Sequence, residues 1–344
     1  MEPHQAIPLQ GVTVDALRGR TVAVLGYGNQ GRAHALNLRD SGIAVVVGGR
    51  PGSDARARAR ADGLPDFDHP AAVEAAELVI VALPDETHAE AWRRWIAPAL
   101  RPGHVAGFVH GSSVHFGLVT APAGVGVVLV APKGPGATLR ERFTRGQGIP
   151  ALLAVHHERA CAPGEPGARA IAEAWAEGIG CGRAAVIGTT FEAEAVTDLF
   201  GEQAVLCGGM MGLAQAAFEI LVDAGYPADL AYVEAIHEIK QVADLLYHRG
   251  PAGMRAAISN TAEFGAYEAA PRIADDHVRA RMRAMLADVR SGAFTRRMQA
   301  DHDAGGAWFA AQRAAAAAHP MEQASHAVRR WMPWLDTPDA RTPP

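Results

Sequence analysis

The chain has few cysteines, no excess of basic residues and no long uninterrupted apolar run. Its 344 residues include three cysteines without the spacing of a metal site, which is typical of a reducing compartment, and we expect the cytoplasm. With 32 basic against 37 acidic residues, the net charge of −5 offers no electrostatic footprint for nucleic acid. No secretory leader and no consecutive apolar run of about 18 residues are visible, so we expect no membrane partner.

The first half of the chain alternates short β-branched runs with helical stretches rich in alanine and arginine. The predicted strands cover residues 21–25, 43–47, 78–83, 104–109, 125–130, 151–155 and 183–187. Strands that alternate with helices indicate βαβ units, and therefore an α/β domain with a mostly parallel sheet covered on both faces. Ligands bind such sheets beyond the carboxyl ends of the strands.

The second half shows no strand pattern. From residue 191 to about 334 it contains only long periodic stretches rich in alanine, glutamate and leucine, which predict an all-helical domain. A chain of 344 residues is too long for one ordinary core. We therefore predict a sheet domain over residues 1–189, a helical domain over residues 190–335 and a tail over residues 336–344.

A glycine-rich segment follows the first predicted strand and opens a helical stretch. It reads Gly26-Tyr27-Gly28-Asn29-Gln30-Gly31, which is G-x-G-x-x-G between a strand and a helix. The glycines let the backbone turn tightly and approach a pyrophosphate, whose charge the helix N-terminus stabilises. The segment predicts a dinucleotide site, and the alternative is a tight turn without a ligand.

The end of the second predicted strand indicates which dinucleotide binds. An acidic residue there would accept a hydrogen bond from the ribose 2′-hydroxyl of NAD, but this chain has Arg50 and then Ser53, which suit a 2′-phosphate. Asp54 is the one residue that would favour NAD instead. Arg56 and Arg58 follow, and the alternative for both is that they lie on a solvated helix face. The segment favours NADPH.

Two pairs of carboxylates are the most informative feature of the second half. Asp198 and Glu202, like Glu234 and Glu238, are four residues apart in helical stretches, so each pair projects from one helical face. The flanking residues are apolar, and burying like charges without compensation is costly. Mg²⁺ bound by all four would remove that cost, because hard cations take oxygen ligands. The alternative is two solvated helix faces.

Two further polar residues follow later strands of the predicted sheet. His110 and Lys133 come just after the strands at 104–109 and 125–130, so both should reach the crevice that holds the nicotinamide. Glycines and prolines around Lys133 form a rigid loop that allows close approach. The alternative for each is a structural or surface role.

Several segments together resemble the ketol-acid reductoisomerase family, in its short, class I form. The matching segments are residues 26–31 with 34–42, 131–136, 197–209, 231–240 and 258–265. The resemblance covers roughly residues 10 to 335 and keeps the order and spacing of the family. The segments around Asp198 and Ser259 are its most specific parts.

The resemblance implies a fold, an assembly and a metal site. It implies a Rossmann-type domain followed by a knotted helical domain, in at least a homodimer. Asp198 would bridge two Mg²⁺ ions, with Glu202 on one ion and Glu234 and Glu238 near the other. The family's counterparts of Glu234, Glu238 and Ser259 come from the partner subunit or line the substrate pocket.

The resemblance also implies a reaction on a small molecule. A 2-hydroxy-3-oxo acid such as 2-acetolactate undergoes alkyl migration and is then reduced by NADPH to a 2,3-dihydroxy acid, a step of valine and isoleucine synthesis. His110 and Lys133 would lie by the nicotinamide and the first metal, and Glu238 would act as acid or base. Pro84 and Gly136 complete the expected contacts to the cofactor.

The chain departs from the family at several positions outside the expected metal ligands. They are Ala55, Ser112-Ser113-Val114, Ala137, His156-His157, Gly188, Ala195, Val196, Ala257 and Ala266. These departures leave three hypotheses open. The chain is a housekeeping reductoisomerase, a divergent paralogue that acts on another oxo acid, or a non-catalytic member that binds nucleotide.

Overall fold

A computed structural model describes residues 6–7 and 11–335 of the chain. The predicted tail over residues 336–344 lies outside the described residues. Residues up to Ala195 form one compact unit and residues from Val196 onward form another. The predicted domain boundary after residue 189 falls slightly earlier, in the connection between the last strand and the helix that follows it.

The first unit is built on a nine-stranded sheet. Its strands are β1 Ala6–Ile7, β2 Thr21–Leu25, β3 Ala44–Gly48, β4 Asp66–Phe67, β5 Leu78–Val81, β6 Val105–Phe108, β7 Gly126–Pro132, β8 Ala151–His157 and β9 Val186–Gly188. The strand order is β1-β9-β8-β7-β6-β5-β2-β3-β4. All neighbours are parallel except β1 with β9 and β7 with β8. The predicted Rossmann-type, mostly parallel sheet is confirmed.

Most predicted strands differ from the structure by one or two residues at an end, and three strands differ by more. The strands β1 and β4 have two residues each, which is too short for a hydrophobic pattern to reveal. The last predicted strand, residues 183–187, starts late as β9 because Cys181–Arg183 forms a turn of 3₁₀-helix.

Helices pack on both faces of this sheet. They are α1 Asn29–Asp40, α2 Asp54–Ala61, α3 His69–Glu74, α4 His88–Ala91, α5 Ser112–His115, α6 Gly136–Thr144 and α7 Ala168–Gly178. A π-helical turn, Trp92–Ile96, follows α4. Because both faces are covered, the central strands are continuous apolar runs, and every residue from Val22 to Leu25 is buried.

The order of the strands reverses at β2, which lies between β3 and β5. In open α/β sheets, such a switch point leaves a crevice at the carboxyl ends of the strands. The strands β2, β5, β6 and β7 run parallel to one another, so the segments that follow them lie at the same edge of the sheet.

The second unit is helical throughout the residues that the structure describes. Its helices are α8 Phe191–Gly201, which begins in the first unit, α9 Gly208–Asp223, α10 Ala228–Tyr232, α11 Ile239–Arg255, α12 Asn260–Ile273, α13 Asp276–Arg290, α14 Ala293–Asp303, α15 Ala307–Ala318 and α16 Pro320–Arg329. Its small core consists of Phe218, Ala231, Met321 and Ala324. The predicted helical C-terminal part is confirmed.

One helical stretch is long and apolar, although no long apolar run was expected from the sequence. Phe191–Asp223 has an 18-residue window of mean hydropathy 1.7, which is long and apolar enough to cross a membrane by length and composition alone. Polar residues such as Asp198, Glu202 and Gln215 interrupt this stretch, so no consecutive apolar run reveals it in the sequence. Only 11% of the window is buried.

Candidate active site

The glycine turn after β2 has the geometry of a dinucleotide site. Gly26 has a φ of +94°, and a Cβ placed there would lie 2.5 Å from the carbonyl oxygen of Ala82. A Cβ on Gly31 would lie 2.2 Å from the carbonyl oxygen of Gly26. Both positions therefore require glycine. Helix α1 begins at Asn29 with Gly28 as its exposed N-cap, which leaves the first N–H groups of the helix open to an anion.

Tyr27, within the same turn, points into the protein. Its side chain is 1% exposed, and its hydroxyl donates a hydrogen bond of 2.8 Å to Asp62. Burial and this hydrogen bond raise the pKa of Tyr27. Arg32 also pairs with Asp62, so the Tyr27 side chain anchors α1, and only the backbone of Tyr27 is placed to meet a cofactor.

The glycine turn is joined to the loop that carries Lys133. The Gln30 side-chain amide donates to the carbonyl oxygen of Gly134 over 2.9 Å, and the backbone N–H of Ala137 donates to Asn29 over 3.0 Å. A Cβ on Gly136 would lie 2.1 Å from the carbonyl oxygen of Asn29, so glycine is required for this contact as well. The two segments that flank the crevice thus hold each other in place.

The residues expected at the adenosine end lie after β3. Arg50 is exposed, and Ser53 is the N-cap residue of α2. Among the described residues, the buried Ser53 hydroxyl oxygen and the Nε of Arg58 have no hydrogen-bond partner. Arg56, in contrast, forms an ion pair with Asp66. A serine hydroxyl and a cationic side chain with unused donors suit a phosphate group.

His110 and Lys133 meet on one buried carboxylate, that of Glu194. The Lys133 Nζ lies 2.7 Å from Glu194 Oε1, and His110 Nδ1 lies 3.1 Å from Oε2. The backbone N–H of Gly111 donates to the same Oε2 over 2.7 Å. The Glu194 side chain is 1% exposed and the Lys133 side chain 30%.

The charge of Glu194 follows from this environment. Burial raises its pKa, but the hydrogen bond from His110 and the charges of His110 and Lys133 outweigh burial and hold the pKa below its usual value. Glu194 is therefore an ionised carboxylate that aligns an ammonium and an imidazole at the edge of the crevice. The sequence signal that could have revealed Glu194 is its spacing, because Glu194, Asp198 and Glu202 follow one another every four residues.

The expected metal ligands lie on helices of the second half. Asp198 is half-buried on α8, one turn after Glu194, while Glu202, Glu234 and Glu238 are exposed in the single chain. Ser259 is also exposed and caps α12 by accepting a hydrogen bond from the N–H of Ala262. Their roles toward metal and substrate stay predictions.

Two of these carboxylates lie in π-helical turns. Glu202 starts the turn Glu202–Leu206, and Glu234 lies in the turn Val233–His237, directly before Glu238. The N–H of Cys207 donates to the backbone carbonyl oxygen of Glu202, and the N–H of Glu238 donates to that of Val233. Both hydrogen bonds span five residues, as in a π-helix. Such turns are frequent at functional sites.

Comparison with known proteins assigns the family. Residues 16–185 match the model of the acetohydroxy acid isomeroreductase NADPH-binding domain, and residues 191–334 match the ketol-acid reductoisomerase C-terminal domain. The chain belongs to the ketol-acid reductoisomerase family. This reductoisomerase is similar to a solved NADH-preferring ketol-acid reductoisomerase from an uncultured archean, with 36% identity and a TM-score of 0.89 over 93% of this chain and 96% of that one.

Two more distant structures show the fold alone. A semialdehyde dehydrogenase NAD-binding protein from Cupriavidus necator is 19% identical, with a TM-score of 0.59 over 79% of this chain and 99% of that one. A putative oxidoreductase from Jannaschia sp. is 19% identical, with a TM-score of 0.58 over 80% of this chain and 97% of that one. Family membership makes this chain an oxidoreductase and isomerase of branched-chain amino-acid synthesis.

Proposed function

We propose that the protein converts 2-acetolactate-type 2-hydroxy-3-oxo acids to 2,3-dihydroxy acids, with Mg²⁺ and NADPH. The observation that carries the proposal is the ionised Glu194 that holds His110 and Lys133 beside the glycine turn and its cofactor crevice. The donor set of Asp198, Glu202, Glu234 and Glu238 fits a hard divalent cation, because all four offer carboxylate oxygens.

The side chains of this protein have separate tasks in the proposed reaction. Bound Mg²⁺ would act as a Lewis acid on the substrate carbonyl groups, and NADPH would supply the hydride. When the tertiary hydroxyl loses its proton, the alkyl group moves from C2 to the carbonyl carbon C3, and the new 2-oxo group is then reduced. The ammonium of Lys133 donates a hydrogen bond to the oxygen that gains negative charge. Glu238 takes the proton of the C2 hydroxyl and returns it to the C3 oxygen after the migration, and the C2 oxygen takes up a proton from water after hydride transfer. Ser259 would contact the substrate.

The unpartnered donors after β3 support NADPH over NADH. The Ser53 hydroxyl, Arg50 and Arg58 together offer donors and positive charge to a 2′-phosphate, and no acidic side chain ends β3. The solved archaeal relative prefers NADH, so the assay compares both cofactors.

We propose a homodimer or higher homo-oligomer as the active form. In the single chain many large apolar side chains of the helical unit are exposed, among them Met210, Leu213, Ile220, Trp308 and Phe309. A second copy of the chain is the occupant that would also bring Glu234, Glu238 and Ser259 of the partner to Asp198, as the family pattern implies. Covering such a surface removes apolar area from water, which stabilises association.

The test is NADPH oxidation with 2-acetolactate in the presence and absence of Mg²⁺. We expect turnover only with the metal. A protein that binds NADPH and Mg²⁺ but leaves 2-acetolactate unchanged is a divergent paralogue, and a protein that binds no Mg²⁺ by calorimetry contradicts the metal site.

The metal and subunit roles are tested together by two variants. Asp198→Asn should abolish activity and leave NADPH binding nearly intact, while Asp223→Asn on the exposed end of α9 is the matched control. Mixing Asp198→Asn with Glu238→Gln should restore about a quarter of wild-type activity after subunits reassort, since half of the dimers would hold one intact site. No recovery would place both carboxylates in one chain.

A further inference from the structure

The sheet unit contains a buried imidazole close to the crevice that the proposed reaction does not use. His88 is the first residue of α4 and is 2% exposed. Its Nε2 lies 3.0 Å from the carbonyl oxygen of Leu83, and its Nδ1 lies 2.7 Å from the hydroxyl oxygen of Ser113. Ser113 is fully buried on α5.

The partners of His88 define its protonation. A carbonyl oxygen only accepts hydrogen bonds, so Nε2 carries the proton and donates to Leu83. Nδ1 is then a bare acceptor, and the Ser113 hydroxyl donates to it. Burial lowers the pKa of His88, although Asp85 at 3.7 Å opposes this effect. The neutral ring therefore connects Leu83 and Ser113, because its one donor and its one acceptor are both hydrogen-bonded.

The bridge connects two segments that line the crevice. Leu83 and Pro84 follow β5, and a Cβ on Gly26 would lie 3.2 Å from the Leu83 side chain, so this loop packs on the glycine turn. Ser113 follows β6 by a few residues, directly after the turn in which Gly111 donates to Glu194. The strands β5 and β6 are parallel neighbours, so both segments lie at their carboxyl ends.

We propose that His88 is a positioning residue that, through Ser113, sets the distance between the Leu83–Pro84 loop and the His110–Gly111 turn and so shapes the seat of the nicotinamide. The inference rests on the part of the proposed function that places a nicotinamide dinucleotide in the crevice, but not on the identity of the substrate. Both side chains are buried, so they act through the segments that they join. They fix the positions of the two segments before the nicotinamide half of the cofactor binds.

The test compares binding of the whole cofactor with binding of its adenosine end. NADPH and adenosine 2′,5′-bisphosphate are titrated by calorimetry into wild type, Ser113→Ala and His88→Leu. We expect each variant to weaken binding of NADPH about tenfold, because the nicotinamide must then order the two segments itself, and to change binding of the bisphosphate by less than about twofold. The double variant should be no weaker than either single one, because both changes remove the same interaction.

Rescue and control variants separate positioning from general stability. Ser113→Thr keeps the hydroxyl, and His88→Gln keeps one donor and one acceptor, so both should bind NADPH nearly as wild type does. His104→Gln changes a half-buried histidine at the other end of β6 and should not change the affinity for either ligand. Thermal unfolding of every variant reports any loss of stability.

The binding titrations and the reductoisomerase assay can fail independently of each other. Equal weakening of both ligands, or unchanged NADPH binding in Ser113→Ala, overturns the positioning role. If the wild type prefers NADH, the same titration is made with NADH and ADP-ribose. Failure to turn over 2-acetolactate with the binding pattern intact refutes the proposed substrate and leaves the inference standing.

Discussion

The ammonium of Lys133 lies 2.7 Å from the carboxylate of Glu194, a side chain that is almost completely shielded from water. Taking a carboxylate out of water is costly unless it is paired and hydrogen-bonded, and Glu194 meets that condition with Lys133, His110 and the N–H of Gly111. These donors come from the segments after β6 and β7. One carboxylate therefore fixes the relative placement of two polar side chains in the crevice.

Replacing Glu194 by glutamine tests this placement. The amide retains the shape of the side chain but loses the charge that aligns Lys133 and His110, so kcat should fall about 10- to 100-fold. The dissociation constant for NADPH should change little, because the glycine turn is untouched. Steady-state kinetics and calorimetry measure the two effects.

Glu192→Gln is the matched control, since Glu192 is exposed in the first turn of the same helix. It should retain wild-type kcat. A Glu194→Gln variant as active as this control would mean that the buried carboxylate is only a structural element.

Cofactor preference should respond to the donors after β3. Ser53→Asp places a negative charge where the 2′-phosphate is proposed to bind, so the KM for NADPH should rise at least about tenfold, while the KM for NADH changes little. Kinetics with both cofactors measure the ratio. Arg93→Gln, an exposed change elsewhere in the sheet unit, should leave the ratio unchanged. Equal effects of Ser53→Asp on both cofactors would contradict the proposed phosphate site.

Gly136 should tolerate no side chain. Its added Cβ would meet backbone atoms of Asn29 and Gln30 at 2.1 to 2.9 Å, so Gly136→Ala must push the Lys133 loop away from the glycine turn. We expect the protein to lose about 1 to 3 kcal/mol of stability and much of its affinity for NADPH. Gly134→Ala is the control in the same loop, because its Cβ meets only the flexible end of Ile149 at 3.3 Å. Similar losses in both variants would argue against the specific contact.

Acid should destabilise the sheet unit through His34. Complete burial lowers the pKa of this histidine to about 3, and Trp175 donates a hydrogen bond of 3.0 Å to its Nδ1. Below its ordinary pKa of 6.5 the unfolded chain binds a proton that the folded chain excludes, so stability is lost as the pH falls from 6.5 toward 3.

Urea denaturation at pH 7 and pH 5 measures this effect. Between these pH values the wild type should lose about 2 kcal/mol more stability than His34→Gln, which cannot take up the proton. His157→Gln, an exposed histidine change, should follow the wild-type profile. A His34→Gln variant with the same pH dependence as wild type would refute the assignment.

Local patterns in the sequence carry much of the fold. The glycine spacing after β2 required a strand, a tight turn and a helix, and the structure has them at Thr21–Leu25 and Asn29–Asp40. The sequence order of strands also placed His110 and Lys133 at one edge, because both follow parallel strands. The short strands β1 and β4 were not predictable, since two residues carry no period.

The candidate site was less accessible from the sequence. Glu194 was not predicted, although it lies four residues before Asp198 and continues the same helical spacing. Its role depends on side chains more than 60 residues away, which only the folded sheet brings near. The His88–Ser113 bridge was hidden for the same reason, because neither residue type signals a partner 25 residues distant.

The π-helical turns at Glu202 and Glu234 have a consequence for engineering this enzyme. Each turn holds one residue more than a turn of the α-helix around it, so deleting a single residue there would restore regular winding and leave the helix beyond nearly in phase, whereas deleting one residue of the neighbouring α-helix would rotate everything beyond it by about 100°. A shortened variant could then keep all four acids in its sequence and still present them in different directions. Aligning or redesigning the chain by residue type alone would overlook that change of phase.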